Sequence, residues 1–444
     1  MTKLPEQPLS REVMEMNQPA PTRAYRYYVL AILVLVYTLN FLDRQILGIL
    51  AAPIKKELSL TDSELGLMAG LAFAVLYSTL ALPIAWLADR SSRRRIMAWA
   101  LGLWSLFTAV CGFAQGFGHL FLARIGVGVG EAGGVAPAYS MVSDYFPKHQ
   151  RARALSIYSL GIPIGSGCGI LFGGLIAANI DWRWAFFIVG TAGVVLAPVF
   201  RATIKDPPRG GFGTSEAAAK AKAPSFSEVR RTITSKRSFW LMALGAASSS
   251  VCGYGLAFWL PSFFQRSMGL SLVETAWYYG AITFFGGCLG IMGGGILADR
   301  MGARSKAAYP RIPAVAFLIA MPCFLIAINT SSLFAAFPLF LVPTALNLMW
   351  LGPILTAVQH LVPGNMRTTA SAMFLMVNNL LGIAVGNYYF GAVSDALRPH
   401  YGDQSLRYAI YTGLGFYVIA AILFVLASKS LAKDWVDDSG PKAG

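Results

Sequence analysis

RIGVGVGEAGG, residues 124–134, is the stretch on which the reading of this chain turns. Gly128, Gly130 and Gly133 spell G-x-G-x-x-G, which in a βαβ unit lets the backbone approach a dinucleotide pyrophosphate. That reading needs a strand before the glycines and a helix opening at them. Here the glycines lie inside an apolar helical run with no strand signal ahead of them. In a bilayer, small residues in such a run let two helix backbones pack closely. The stretch therefore predicts a tightly packed membrane helix and not a nucleotide site.

The rest of the chain agrees. Of its 444 residues 56% are apolar and only 13% charged, about half the charged share of a soluble protein. Mean hydropathy is +0.57. Such a chain cannot cover its own surface with polar groups, so lipid is its solvent. The net charge of +15 is read as Lys and Arg gathered in cytoplasmic loops, not as a nucleic-acid surface. Cys111, Cys168, Cys252, Cys288 and Cys323 are scattered singly with no C-x-x-C spacing, which argues against a disulfide framework or a metal site. The four histidines (His119, His149, His360, His400) fall at predicted span ends or in loops. With no His pair and no G-x-S-x-G, an enzyme is not expected, nor a cofactor.

Twelve spans of roughly 20 or more residues are expected. Six lie at about 26–50, 62–88, 95–116, 118–145, 152–178 and 183–202, and six at about 238–266, 272–298, 309–328, 332–360, 367–394 and 404–428. This predicts an all-α membrane protein: a tail at 1–25, a six-helix bundle at 26–202, a polar linker at 203–237 carrying a short surface helix, a second bundle at 238–428, and a tail at 429–444. The N-terminal residues hold no apolar run of a signal peptide. Arg90, Arg93, Arg94, Arg95, Lys148, Arg151, Arg153, the linker, Arg300, Arg304, Lys306, Arg311 and Arg367 all fall on one side, which places both termini in the cytoplasm, here of a bacterial inner membrane. The halves also repeat. WLADRSSRRR (86–95) is echoed by ILADRMGARSK (296–306), Asp299 following Asp89 by 210 positions. FPKHQRARALSIY (146–158) is echoed by VPGNMRTTASAMF (362–374), with Arg367 following Arg151 by 216. Two parallel six-helix repeats are the design of a secondary transporter with its site between them.

These motifs carry a resemblance. The L-A-D-R loops resemble motif A of the major facilitator superfamily: Asp89, Arg90, Arg93 and Arg94 in the first copy, where Ala85 and Ser92 replace glycines, and Gly295, Asp299, Arg300 and Gly302 in the second. An Asp beside Arg at a helix end can form a charge-assisted lock to a neighbouring helix, so Asp89, Arg90, Arg93, Asp299 and Arg300 are candidate gating residues. Arg124, Gly128, Gly130 and Ala132 match motif B. The run GIPIGSGCGILFGG, with Gly161, Gly165, Gly169 and Gly173 on one face, partly resembles the antiporter motif C, with Ser166 where proline is usual. NFLDRQILG (40–48) together with GVGEAGGVAPAYSMVSDYFP (128–147) resembles the spinster family of lipid transporters over essentially the whole chain. The resemblance implies movement of lysophospholipids or sphingosine phosphates.

Ionisable groups inside spans are costly and default to functional candidates. The first half has four: Asp43, Arg44, Arg124 and Glu131. At 1.5 Å per residue, Asp43 lies roughly 24 Å up the first span and Arg124 roughly 9 Å down the fourth, nearly the same depth in a ~30 Å core. An Asp43–Arg124 ion pair is thus geometrically allowed, with Glu131 two turns deeper, near the midplane. Asp43 and Glu131 are candidate proton carriers, because burial raises a carboxyl pKa and a nearby Arg lowers it. Arg44 and Arg124 are candidate clamps for an anionic head. The second half has no comparable interior charge. It supplies Tyr254, Trp259, Asn347 and Asn378 to an aromatic, weakly polar facing wall, read as the rest of the substrate site. The expected protein is a monomer that moves a lipid or other amphipathic anion with protons as coupling ion. An organic-anion or drug antiporter of the same superfamily is the alternative.

Overall fold

The computed structural model describes residues 21–88, 90–207, 225–302, 304–363 and 366–436. Among them twelve helical spans form two six-helix bundles, the fold of the major facilitator superfamily. The first six are Arg23–Ile49, Asp62–Ala69 with Leu71–Ala88, Arg93–Cys111, Phe117–Glu131 with Val135–Tyr145, Lys148–Ser159 with Gly161–Asn179, and Trp182–Thr203. The last six are Arg237–Ser267, Leu272–Gly302, Ala308–Asn329, Leu333–Leu348 with Leu351–Gln359, Arg367–Tyr401, and Ser405–Gly413 with Gly415–Asp434. The linker's expected surface helix is Phe226–Thr234, with Val229 and Ile233 on its buried face.

Five of the spans read as continuous from sequence are interrupted, and each break has a local cause. Pro163 and Pro353 lack the N–H that would bond to Ser159 and Met349, and the helices restart just ahead of them. Gly70, the Gly133–Gly134 pair and Gly413 remove side-chain support at the other three. The break in the fourth span follows Glu131 directly: Gly133 N–H bonds to Gly130 O and Gly134 N–H to Glu131 O, a tight 3₁₀-like turn.

The span ends repeat across the halves as the loops do. Thr61 and Glu64 form a capping box at the second span, and Ser271 and Glu274 bond in the same way at the eighth, each residue 210 positions on. The left-handed residue two before each cap is Ser59 (φ 53) in one half and Gly269 (φ 72) in the other. Only the second half places the residue type that adopts this conformation without a steric cost.

The glycines of the opening stretch lie where backbones meet. A Cβ on Gly128 would sit 2.6 Å from Phe73 O of the second span, and one on Gly133 2.9 Å from Ala100 Cβ of the third. The glycine face of the fifth span packs on the first: a Cβ on Gly169 would lie 2.6 Å from Leu42 O. The halves meet through the first and seventh, second and eleventh, and fifth and eighth spans. These contacts draw together at the end away from the linker, called here the far end. Gly70 would meet Ala384 O at 2.8 Å and Gly174 would meet Ala276 Cβ at 2.6 Å.

Candidate functional site

The first span puts Asp43 and Arg44 side by side, so they point to different neighbours. Asp43, 1% exposed, accepts from Arg124 Nη1 of the fourth span at 3.2 Å and from Thr108 Oγ1 of the third at 2.8 Å. This is the pair that helix rise allowed. Thr108 was not anticipated; a lone threonine in an apolar span carries no signal until its neighbour is known. Arg44 pairs instead with Glu131: Nε lies 2.8 Å and Nη2 2.7 Å from Oε2. Its guanidinium is boxed by the rings of Tyr77 at 4.6 Å, Phe73 at 4.9 Å and Phe41 at 5.2 Å. Two antiparallel ion pairs thus tie the first span to the fourth.

The four groups differ in access. Glu131 is fully buried and Arg124 is 2% exposed, while the Arg44 side chain keeps 11%. In this conformation Arg124 stands behind Asp43, and Arg44 is the cation that reaches open space. Two acceptors here have no hydrogen-bond partner among the described residues: Glu131 Oε1 and Asn40 Oδ1, on the turn before Asp43. A buried carboxylate oxygen without a donor is costly.

The residues expected from the second half divide. Tyr254 reaches across to within electrostatic range of both Arg44 and Glu131. Asn378, 1% exposed, accepts from Ser250 Oγ at 2.9 Å and donates to Asn379 Oδ1. Asn347 accepts from Tyr417 Oη at 3.0 Å. Trp259 lies apart: it is fully buried, its indole N–H given to Asn387 O at 2.9 Å, and it packs at the seam between halves. Of the loop residues, Asp89 lies outside the described residues. Arg90 is exposed and stacks on Trp86 at 4.0 Å. Arg93 is buried, bonded to Asp144 and Ser140 Oγ of the first half and to Pro207 O at the start of the linker, the last two at 2.7 Å each. Asp299 and Arg300 are exposed and form no ion pair among the described residues.

A second buried cluster was missed in the sequence. Asp62, fully buried at the N-terminus of the second span, accepts from both Arg266 nitrogens at 2.7 and 2.8 Å, from Ser394 Oγ at 2.8 Å and from Lys55. Asp395 returns the contact, accepting from Asp62 N–H at 3.2 Å, Ser63 N–H at 2.7 Å and Ser63 Oγ at 2.6 Å. Asp62, Ser63 and Lys55 belong to the first half, Arg266, Ser394 and Asp395 to the second. Two turns below, Asn387 Nδ2 donates to Ala69 O, a carbonyl at the Gly70 break, at 2.9 Å. The capping box at Thr61–Glu64 was the available signal, since it puts Asp62 on a helix end; its partners were not legible.

Residues 33–387 match a family model described as the Major Facilitator Superfamily. The chain is 33% identical over 424 residues to an MFS-type efflux pump of Mycolicibacterium smegmatis, covering 95% of this chain and 97% of that one. It is 30% identical over 434 residues to Protein spinster homolog 3 of Danio rerio, covering 92% and 86%. A bacterial homolog to the human lysosomal transporter Spinster, solved in an inward-facing and unoccupied conformation, is similar at a TM-score of 0.84 and 31% identity, over 94% of this chain and all of that one.

Proposed function

Because this chain belongs to the spinster family of the major facilitator superfamily and is therefore a multi-pass membrane transporter, we propose that it moves an amphipathic anionic lipid, of the lysophospholipid or sphingosine-phosphate kind, by proton-linked alternating access. The observation that carries this reading is the Arg44–Glu131 pair, with Arg44 partly accessible and Glu131 Oε1 unpartnered. A proton on Glu131 removes the countercharge of Arg44 and frees its fork for a phosphate. An anion on Arg44 in turn favours the proton on Glu131, since the coupling between two ligands is reciprocal. Asp43 is the second proton carrier and Arg124 its counter-ion. Tyr254, Asn347 and Asn378 face the head and upper chain from the second half. Lipid fits better than a small polar solute because the groups opposite Arg44 are aromatic and weakly polar.

The protein works as a monomer in a bacterial inner membrane, with the linker end and both termini cytoplasmic. The far-end cluster around Asp62 is the outer gate, shut here, so this state opens to the cytoplasm. Arg90, Arg93, Asp299 and Arg300, with Asp89, close the opposite end in the other state. The experiment is reconstitution of the full chain into liposomes with a panel of lysolipids, with and without a pH gradient. Flux of an anionic lysolipid, accelerated by the gradient in wild type and insensitive to it in Glu131→Gln, is the expected result. The second reading, an organic-anion or drug/proton antiporter, has the efflux pump relative in its favour. Transport of a short hydrophilic anion with no lysolipid response would replace the first reading with the second.

A further inference from the structure

The second span is broken at Gly70, and a bond between the halves sits on the break. An unbroken helix would pair Ala69 O with Phe73 N–H. That bond is missing. Gly70 leaves the helical region at φ −98 and ψ −86, and the ladder resumes with Ala74 N–H on Gly70 O at 2.8 Å. Ala69 O accepts instead from Asn387 Nδ2 of the eleventh span at 2.9 Å. Asn387 is 6% exposed, and its Oδ1 has no partner among the described residues. Gly66 brings the two backbones together there: a Cβ on it would sit 2.4 Å from Asn387 O.

The residue whose helical acceptor is taken in this way stands at the central site. The ring of Phe73, 2% exposed, lies 4.9 Å from the Arg44 guanidinium and 5.5 Å from that of Arg124. Among the described residues it is the one ring that both arginines share, so it touches both ion pairs. It stacks on Tyr77 at 5.0 Å and 20°, and Tyr77 is itself 4.6 Å from Arg44. The fourth span closes in on the same residue, since a Cβ on Gly128 would be 2.6 Å from Phe73 O. The attraction of a ring for a cation depends on their distance and is largest away from water. A shift of the segment that carries Phe73 therefore alters the hold on both guanidiniums at once. Packing alone asks for no amide at position 387, because an apolar side chain fills the seam without stranding an oxygen.

We propose that Asn387 is a positioning residue: by drawing Ala69 O across the seam it holds the second span broken at Gly70, and so sets the Phe73 ring against Arg44 and Arg124. When the far end parts, Asn387 leaves with the second half. Ala69 O then takes Phe73 N–H, the helix closes through Gly70, and Phe73 and Tyr77 turn with Leu71–Ala88 relative to the arginines. One hydrogen bond is exchanged for another, and the exchange links the seam to the central ion pairs. The link is reciprocal, so whatever draws Arg44 off the rings biases the seam in turn.

This inference rests on the alternating-access reading above, and its test keeps the two apart. In the full chain in lipid nanodiscs, 4-fluorophenylalanine replaces Phe73. Its fluorine resonance reports the surroundings of the ring, and spin-label pairs on the outer loops of the two halves report the far end. In Asn387→Leu, which keeps the volume and removes the donor, the resonance is expected to move by more than its linewidth while the far-end distances stay those of wild type. Asn387→Ala takes its place if the leucine variant does not fold. Arg266→Ala, which opens the far end with Asn387 intact, is expected to move the resonance to the same position. A resonance unmoved by loss of the Asn387 amide would overturn the inference, as would a far end that opens in Arg266→Ala with the resonance unmoved. A far end that stays shut in Arg266→Ala would overturn the gate reading and not the role of Asn387, which the first variant decides by itself.

Discussion

The molecule buries two clusters of charge, and they are built to opposite ends. At the centre, Asp43–Arg124 and Arg44–Glu131 join spans of one half, and the cluster is left incomplete: Glu131 Oε1, Asn40 Oδ1 and Arg124 Nε have no partner among the described residues. At the far end, Asp62 and Asp395 bond across the halves, and both oxygens of Asp62 are doubly engaged. The central network leaves acceptors unpaired inside one bundle; the far-end network pairs its groups across two. The difference is also one of symmetry. The capping box recurs in both halves, yet the position of Asp62 is Leu272 in the second half. A shared scaffold carries the cross-half cluster at one of its two equivalent positions only.

The comparison is broken most severely by Glu131→Gln. Proton-driven flux is expected to fall about a hundredfold or more, while distances between spin labels at the far end stay those of wild type at neutral pH. A far-end opening in this variant would show that the two clusters are not separate devices. Arg266→Ala is the converse. Removing one side of a buried pair costs about 3–5 kcal/mol, so the far-end-closed population should drop at least about a hundredfold against the open one. Label pairs across Asp62 and Ser394 would show that as a new long-distance peak; an unaltered distribution would remove the latch. Gly70→Leu tests the same seam without touching a charge, since its Cβ would meet Ala384 O at 2.8 Å and Ile383 O at 2.9 Å; the open population should again grow.

Arg44→Lys sharpens the central half of the comparison. It keeps the charge and loses the fork and the ring box, so affinity for an anionic lysolipid in a binding assay should weaken about tenfold. Lys55→Met is the mildest. Burial pushes the Lys55 ammonium below its ordinary value, and Asp62 offsets that only in part. The charged form therefore costs the closed latch something at neutral pH, and that cost disappears as pH rises through the lowered value. Because Arg266 carries the bidentate contact, closure in Lys55→Met should stay within a factor of about two, read from the same far-end label pairs.

What could be read in advance follows from what is local. Hydropathy located the spans, the arginine-rich loops marked one end, and helix rise alone brought Asp43 and Arg124 to one depth, where the structure holds them 3.2 Å apart. The same arithmetic could not assign Arg44 to Glu131, because which face of a helix meets which neighbour is a matter of rotation and tilt. It missed the helix breaks for a related reason: a glycine in an apolar run reads as close packing or as an interruption, and only the neighbour decides. Trp259 illustrates the limit on the other side. Its sequence context matched a facing wall, and the fold spends its N–H on Asn387 O at the seam.

The amino-acid sequence by itself determined the solvent, the all-helical class, the twofold repeat and the four central ionisable groups, since each depends on composition or on spacing within one span. Tertiary structure alone decided that Asp62 joins Arg266, 204 positions away, and Ser394, 332 away. No local period reports such separations. They arise only where the two bundles pack on each other, and the low dielectric at their contact strengthens the hydrogen bonds of the carboxylate buried there.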